Sequence, residues 1–287
     1  MRHIISLSTI PPRFAKIAPA LKSLLAQTSR PEAIELYIPR TYRRFPQWGG
    51  ALPEVPEGVR IVRVDEDLGP ATKILPAALA YRGQDVELLY VDDDIVFEKD
   101  WAQASLDLRK AHPEAAVCAA GVTMQRVGRN WVATAPLPRA VLAPLGYMQL
   151  GFHIRGLLSK AFARKKDTGV LSTPFRKIDR SGYVDIAEGY GGVALRPDFL
   201  DDAAFAIPPV LWTVDDVWLS GHLARRGIPI WADKTLNKAR AVLEVSRTQS
   251  LFRAVIDGAD RDTANQACID YMRATYGIWG GEATQRT

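Results

Sequence analysis

The chain has 287 residues, is 47% hydrophobic and 24% charged, and carries a formal net charge of +5. Those values describe an ordinary soluble globular protein, long enough to bury a sizeable core as one large domain or two small ones. The apolar run within Met-Arg-His-Ile-Ile-Ser-Leu-Ser-Thr-Ile-Pro-Pro is too short for a signal peptide, and no other stretch approaches a spanning helix, so a cytoplasmic protein with no transmembrane segment is expected.

In chain order, residues 3 to 10 read as a first strand that Pro11-Pro12 ends, because proline cannot continue a central ladder. Arg13 then stands over the strand's carboxyl end. Phe14, Ile17, Leu21, Leu24 and Leu25 recur at helical spacing, and residues 34 to 38 form a second strand. Strand, helix and strand within about forty residues make a βαβ unit, which builds parallel sheets. Residues 39 to 58, rich in Pro, Gly and Arg, form a long irregular connection, followed by a short strand over 59 to 64. Gly69-Pro70-Ala71-Thr72-Lys73 is a tight turn into a helix with Thr72 and Lys73 in its first turn. A lysine there suits an anionic ligand, although it also reads as a surface lysine near a helix start.

Residues 88 to 97 read Leu-Leu-Tyr-Val-Asp-Asp-Asp-Ile-Val-Phe, a buried strand that stops on three carboxylates. In open α/β sheets ligands sit beyond the carboxyl ends of strands, so Asp92, Asp93 and Asp94 are placed where a ligand would be met. In extended backbone Asp92 and Asp94 face one way and Asp93 the other, which lets the outer pair share a hard divalent cation. A solvated acidic turn leading into the next helix is the other reading.

Further along, a helix from about 100 to 112 and a buried strand over 115 to 122 are expected. Residues 124 to 180 are less regular, with a basic stretch of Arg155, Lys160, Arg164, Lys165, Lys166, Arg176, Lys177 and Arg180 that would supply the acceptor side or be a solvated loop. Residues 185 to 195 look like a glycine-bent loop feeding a strand. Asp215 and Asp216 open an apolar helix ending at Gly227, where Thr213 and Asp216 also approximate a capping box. A closing strand over 228 to 232 and helices over about 240 to 256 and 260 to 276 complete the chain. Cys118 and Cys268 form no disulfide framework or metal-ligand spacing and are expected as buried packing residues.

Five features in order resemble the GT-A glycosyltransferases, similar to family 2 nucleotide-sugar-dependent enzymes. They are Ser8-Thr9-Ile10-Pro11-Pro12-Arg13, the 69 to 73 turn, the aspartate triplet, Glu188-Gly189-Tyr190-Gly191-Gly192, and Asp215-Asp216-Val217. The resemblance implies an α/β, Rossmann-like, mixed and mostly parallel sheet flanked by helices. Residues 1–239 would be the catalytic domain, with a donor half to about 122, an acceptor half from 123 including a basic insertion over 151–182, and a helical extension over 240–287. It places Thr9, Pro11 and Arg13 near the base or ribose of the donor, Lys73 and Asp93 on its nucleotide side, and Gly191 and Gly192 beside the donor sugar. Asp92 and Asp94 would hold Mn2+ or Mg2+. Asp216 would be the base, with Asp215 the competing candidate, and inversion at the anomeric carbon would follow. Asp-Asp stands where Glu-Asp is usual, and no clear Gln-x-x-Arg-Trp segment is present, which argues against processive polymer synthesis.

The expected activity is a metal-dependent inverting glycosyltransferase with a nucleotide-diphosphate donor, UDP-linked, and a hydroxyl acceptor. Arg40, Arg43, Arg44 and the basic stretch would suit an anionic acceptor such as a lipopolysaccharide or surface-glycan precursor, or hydroxylated bases in DNA. A nucleotidyltransferase is the further alternative, but Pro11-Pro12-Arg13 stands where a glycine-rich loop is usual in that class.

Overall fold

The computed structural model describes residues 1–124, 134–143, 178–236, 239–242, 245, 248 and 261–280. The expected basic insertion, apart from residues 178–182, and most of the helix expected over 240–256 lie outside the described residues.

Strands β1 (His3–Ser8) and β2 (Ala33–Pro39) are nearly continuous apolar runs whose side chains are almost all buried, the pattern of strands covered on both faces. Between them a 3-10 turn over Pro11–Lys16 leads into α1 (Ala18–Leu25). Strand β3 (Val59–Val64), α2 (Leu75–Ala80), β4 (Glu87–Val91), the short β5 (Ile95–Val96), α3 (Trp101–Ala111) and β6 (Ala116–Val122) follow. Then come β7 (Val141–Leu142), β8 (Ile178–Arg180), β9 (Gly182–Val184), β10 (Ile186–Leu195), α4 (Asp215–Arg225), β11 (Ile230–Ala232), β12 (Arg240–Ala241) and α5 (Arg261–Tyr276).

One sheet carries the order β3-β2-β1-β4-β10-β6-β11-β9. Strand β1 pairs in parallel with β2 and β4, β2 with β3, and β6 with β11, while β10 inserts antiparallel between β4 and β6 and β9 runs antiparallel to β11. The fold is thus α/β and Rossmann-like, with a mixed, mostly parallel sheet. Its two faces are covered by separate apolar layers. Leu75, Trp218 and Met272 from α2, α4 and α5 lie on one side, with both cysteine-bearing segments, and Leu21, Leu24, Trp101 and Leu106 from α1 and α3 on the other. Burying each such side chain stabilises the fold by roughly 1.5–3 kcal/mol. Cys118 and Cys268 are free and buried, as expected of packing residues.

The structure alters three local expectations. Lys73 ends a separate 3-10 turn over Gly69–Lys73, and α2 starts only at Leu75. Pro76 explains this: it fits a first helical turn, but a helix begun at the glycine would place its ring against a carbonyl one turn back. Residues 186 to 195 are one continuous strand rather than a loop, and a bulge between Glu188 and Val193 absorbs the bend, with Gly191 and Gly192 each at φ +86°. Arg240 and Ala241 pair with β5 instead of opening a helix, and the Val242 amide donates to the Asp94 carbonyl at 2.7 Å. Backbone pairing at the exposed edge of β5 outweighs the local helical pattern.

Among the described residues beyond 239, Ala264, Cys268, Ile269, Met272 and Trp279 are buried in the main core. A Cβ on Gly221 of α4 would stand 2.8 Å from Met272 Cε of α5, so the Met272 side chain packs directly on the α4 backbone. Among the described residues no helix is long and apolar enough to cross a membrane.

Candidate active site

Parallel pairing brings the carboxyl ends of β1 and β4 side by side, with Leu7 opposite Val91, so the segments leaving both strands meet at one edge. There the aspartate triplet divides, although not by the expected strand alternation: β4 ends at Val91, and Asp93 and Asp94 lie in a turn. Asp93 is turned inward, 4% exposed, and accepts hydrogen bonds from the Thr9 hydroxyl at 2.5 Å and Arg13 Nη1 at 2.6 Å. Asp92 and Asp94 line an open cleft of about 1020 Å3, its solvent-filled mouth included. Arg13 Nε also donates to the Thr248 carbonyl at 2.9 Å, tying this corner to the C-terminal part of the chain.

Lys73 is the centre of the charge arrangement. The Ser6 hydroxyl of β1 donates to its carbonyl, which fixes the turn over the strand end. Its Nζ lies 2.5 Å from Asp92 Oδ1 and 2.9 Å from Asp215 Oδ2, the latter an ion pair whose angle falls short of a hydrogen bond. Burial alone would lower the lysine pKa, but Asp215 and Asp92 outweigh it and hold the ammonium charged well above its ordinary range. In the same way burial would raise Asp92, and Lys73 instead holds it below the usual carboxylate range. The expectation of a helix-start lysine waiting for an anion is thus replaced by a buried lysine already clamped between two carboxylates.

Asp215 and Asp216 occupy the first turn of α4, and no side chain caps that helix, so the Thr213–Asp216 capping box does not form. Asp216 instead accepts from the Gly189 amide at 2.9 Å on Oδ1 and from Arg261 Nη2 at 3.3 Å on Oδ2. Burial, then the neighbouring Asp215, push its carboxyl up to about 7, with Lys73 and Arg261 opposing. Gly189 is where glycine is needed: a Cβ there would stand 2.6 Å from Lys73 Nζ, 3.2 Å from Asp216 Oδ1 and 3.4 Å from Asp92 Oδ1. Three charged groups from three elements converge on the space that its missing side chain leaves.

Gly191 and Gly192 do not line the cleft, which corrects their expected place beside the donor sugar. The bulge turns them into the interior, where added Cβ atoms would meet Ala119 Cβ at 2.7 Å and Trp101 Cζ2 at 2.4 Å. Pro11 is likewise not among the lining residues, whereas Thr9, Arg13, Lys73, Asp92, Asp93, Asp94, Asp215 and Asp216 all are. Of the arginines expected to meet an anionic acceptor, Arg40 pairs with Asp65 at 2.6 Å, Arg43 lies over the Trp212 ring at 5.4 Å, and Arg44 lines the cleft.

Sequence reasoning missed Gly189 and Arg261. The glycine lay within a stretch already singled out, and the bulge decided which of its glycines faces the charges. Arg261 stands 45 positions from its partner, and no local pattern links them.

Asp92 and Asp94 are hard oxygen donors of the kind Mg2+ or Mn2+ takes. Among the described residues no cluster of three or more His, Cys, Asp or Glu is arranged to hold a metal ion, so a cation here would complete its shell with ligand phosphate oxygens, as magnesium commonly does. The balance of charge fits that arrangement: aspartates outnumber basic side chains around the cleft six to four, and an anionic ligand would need further positive charge.

No protein-family model matches this chain, and no curated protein matches it. Among solved structures, residues 1–349 of S. aureus TarS align at 13% identity and a TM-score of 0.41, covering 100% of this chain and 76% of that one. The same fragment in complex with UDP aligns at 13% identity and TM-score 0.40, covering 96% and 72%. In complex with UDP-GlcNAc it aligns at 13% identity and TM-score 0.42, covering 96% and 73%.

Proposed function

We propose that the protein is a metal-dependent, inverting glycosyltransferase that moves a sugar from a nucleotide-diphosphate donor, UDP-linked, to a hydroxyl of a glycan or other acceptor. The observation that carries this reading is the convergence of Asp92 and Asp94 with Asp216 at one cleft, across the gap left by Gly189. Thr9 and Arg13 hold Asp93 aside, so that the outer carboxylates face the cleft. Ile10, Tyr42 and Phe45 supply an apolar side for a base, and Asp92 with Asp94 would hold Mn2+ or Mg2+. When bound, that cation neutralises charge on the diphosphate.

Asp216 acts as the base. It takes the proton of the acceptor hydroxyl while the oxygen forms its bond to the anomeric carbon, and the bond from that carbon to the diphosphate oxygen breaks with its electron pair leaving on the nucleoside diphosphate. Attack opposite the leaving group inverts the configuration. Lys73 pairs with both Asp92 and Asp215 and holds them in place. Asp215, ion-paired with that lysine, is a poorer candidate for proton transfer than Asp216, which supports Asp216 as the base.

A thermal-shift screen of UDP-glucose, UDP-galactose and UDP-N-acetylglucosamine, with and without Mn2+, tests it. A ligand at about 100 times its dissociation constant stabilises the folded state by roughly 2.7 kcal/mol, so at least one sugar nucleotide should raise the melting temperature with metal present. Asp92→Ala and Asp94→Ala should abolish the metal-dependent part. If no sugar nucleotide shifts the melt in the presence of Mn2+, the reading fails.

A further inference from the structure

We propose that Arg261, on the C-terminal helix α5, is a positioning residue that fixes the Asp216 carboxylate for proton transfer; the proposal rests on the glycosyltransferase reading above. Asp216 leaves the first turn of α4 without a capping bond, so its orientation is set by what meets its two oxygens. Oδ1 takes the Gly189 amide of β10 at 2.9 Å and Oδ2 takes Arg261 Nη2 at 3.3 Å. A carboxylate tied to one element by each oxygen cannot swing about its side-chain torsion without losing a bond, and such fixing raises reaction rate through orientation.

Other nearby groups do not supply this. Lys73 sits in its ion pairs with Asp92 and Asp215. Asp215 on the same helix, Asp92 at the end of β4 and Glu188 on β10 are all acidic, so among the described residues the Arg261 guanidinium is the cation that meets the outer oxygen. The arginine is itself well anchored. It begins α5, whose Cys268, Ile269 and Met272 are wholly buried in the core beside α4, and its side chain is 28% exposed at the cleft. The C-terminal helix therefore completes the site and does not merely support it.

Kinetics separate this role from a direct grip on the donor. UDP release from the active sugar nucleotide, with water as the attacking acceptor and free sugar as the other product, is measured with Mn2+ for the wild type, R261A, R261K and D216N, beside their melting temperatures. Positioning predicts that R261A lowers kcat by about tenfold or more while donor KM stays within about threefold, because the lost interaction acts on the reacting geometry. R261K should keep an intermediate kcat, and added guanidinium chloride at non-denaturing concentration should restore part of R261A but none of D216N. A raised donor KM with unchanged kcat would make Arg261 a phosphate ligand and overturn the proposal. Wild-type kcat in R261A would overturn it too, as would a loss that neither R261K nor guanidinium relieves and that follows a lowered melting temperature. Failure of the wild type to release UDP from any sugar nucleotide would overturn the glycosyltransferase reading itself, a result visible before any variant is compared.

Discussion

Asp216 combines two opposed influences within one side chain. Burial and the adjacent Asp215 favour its neutral form, Lys73 and Arg261 favour the charged one, and the balance leaves its carboxyl at about 7. A carboxyl so placed is a stronger base than an ordinary aspartate, because a group that holds its proton near neutrality takes one more readily. The sign of the pH dependence follows. Below about 7 the group is protonated and cannot accept the acceptor proton; above it the carboxylate is present. In the role proposed for Asp216, turnover should therefore rise with pH through that value and then level off. Asp216→Asn should lower kcat by about 10²–10⁴-fold, the usual contribution of a positioned base. A pH profile of turnover checks both, and a flat profile across that range would remove Asp216 from the role.

The turn that carries Lys73 is the element on which the site's stability depends. Lys73 and Asp215 are both nearly inaccessible, at 6% and 5% side-chain exposure, whereas Asp92 is 34% exposed. Removing the ammonium leaves Asp215 buried and charged without its partner, a change that typically costs about 3–5 kcal/mol. The share from Asp92 is smaller, since solvent screens it. Lys73→Met should accordingly lower the midpoint of urea unfolding by an amount of that order, and adding Asp215→Asn should recover part of the loss by removing the orphaned charge. Equilibrium denaturation of the single and double variants tests this, and equal midpoints for Lys73→Met and wild type would refute it.

At the scale of the whole molecule, the C-terminal helix joins packing to the site. Met272 fills the space over Gly221, and an Ala there would leave a cavity in the layer that also holds Trp218 and Leu219. Met272→Ala should destabilise the fold by about 2–5 kcal/mol, as truncations of buried Met, Leu and Ile do. Urea unfolding measures it. A variant within error of wild type would mean that α5 is docked loosely, and Arg261 could not then be held against Asp216 as seen.

Much of this architecture was legible in the residues. Apolar runs marked β1, β2, β4 and β6, since strands covered on both faces need little polar alternation. The three aspartates were legible as the end of a strand, but their division came from the turn that follows Val91 and from the bonds of Asp93 to Thr9 and Arg13. By itself, then, the sequence determined the βαβ succession, the acidic strand end and the acidic opening of α4. Only the tertiary structure decided that Lys73 lies between Asp92 and Asp215, that Gly189 rather than Gly191 or Gly192 faces the charges, and that Arg261 reaches Asp216. Those outcomes depend on the antiparallel insertion of β10, its bulge and the docking of α5 on α4, which join segments far apart in the chain. Local periodicity holds no information about such pairings, because the free energy that selects them comes from burial and charge compensation among elements already formed.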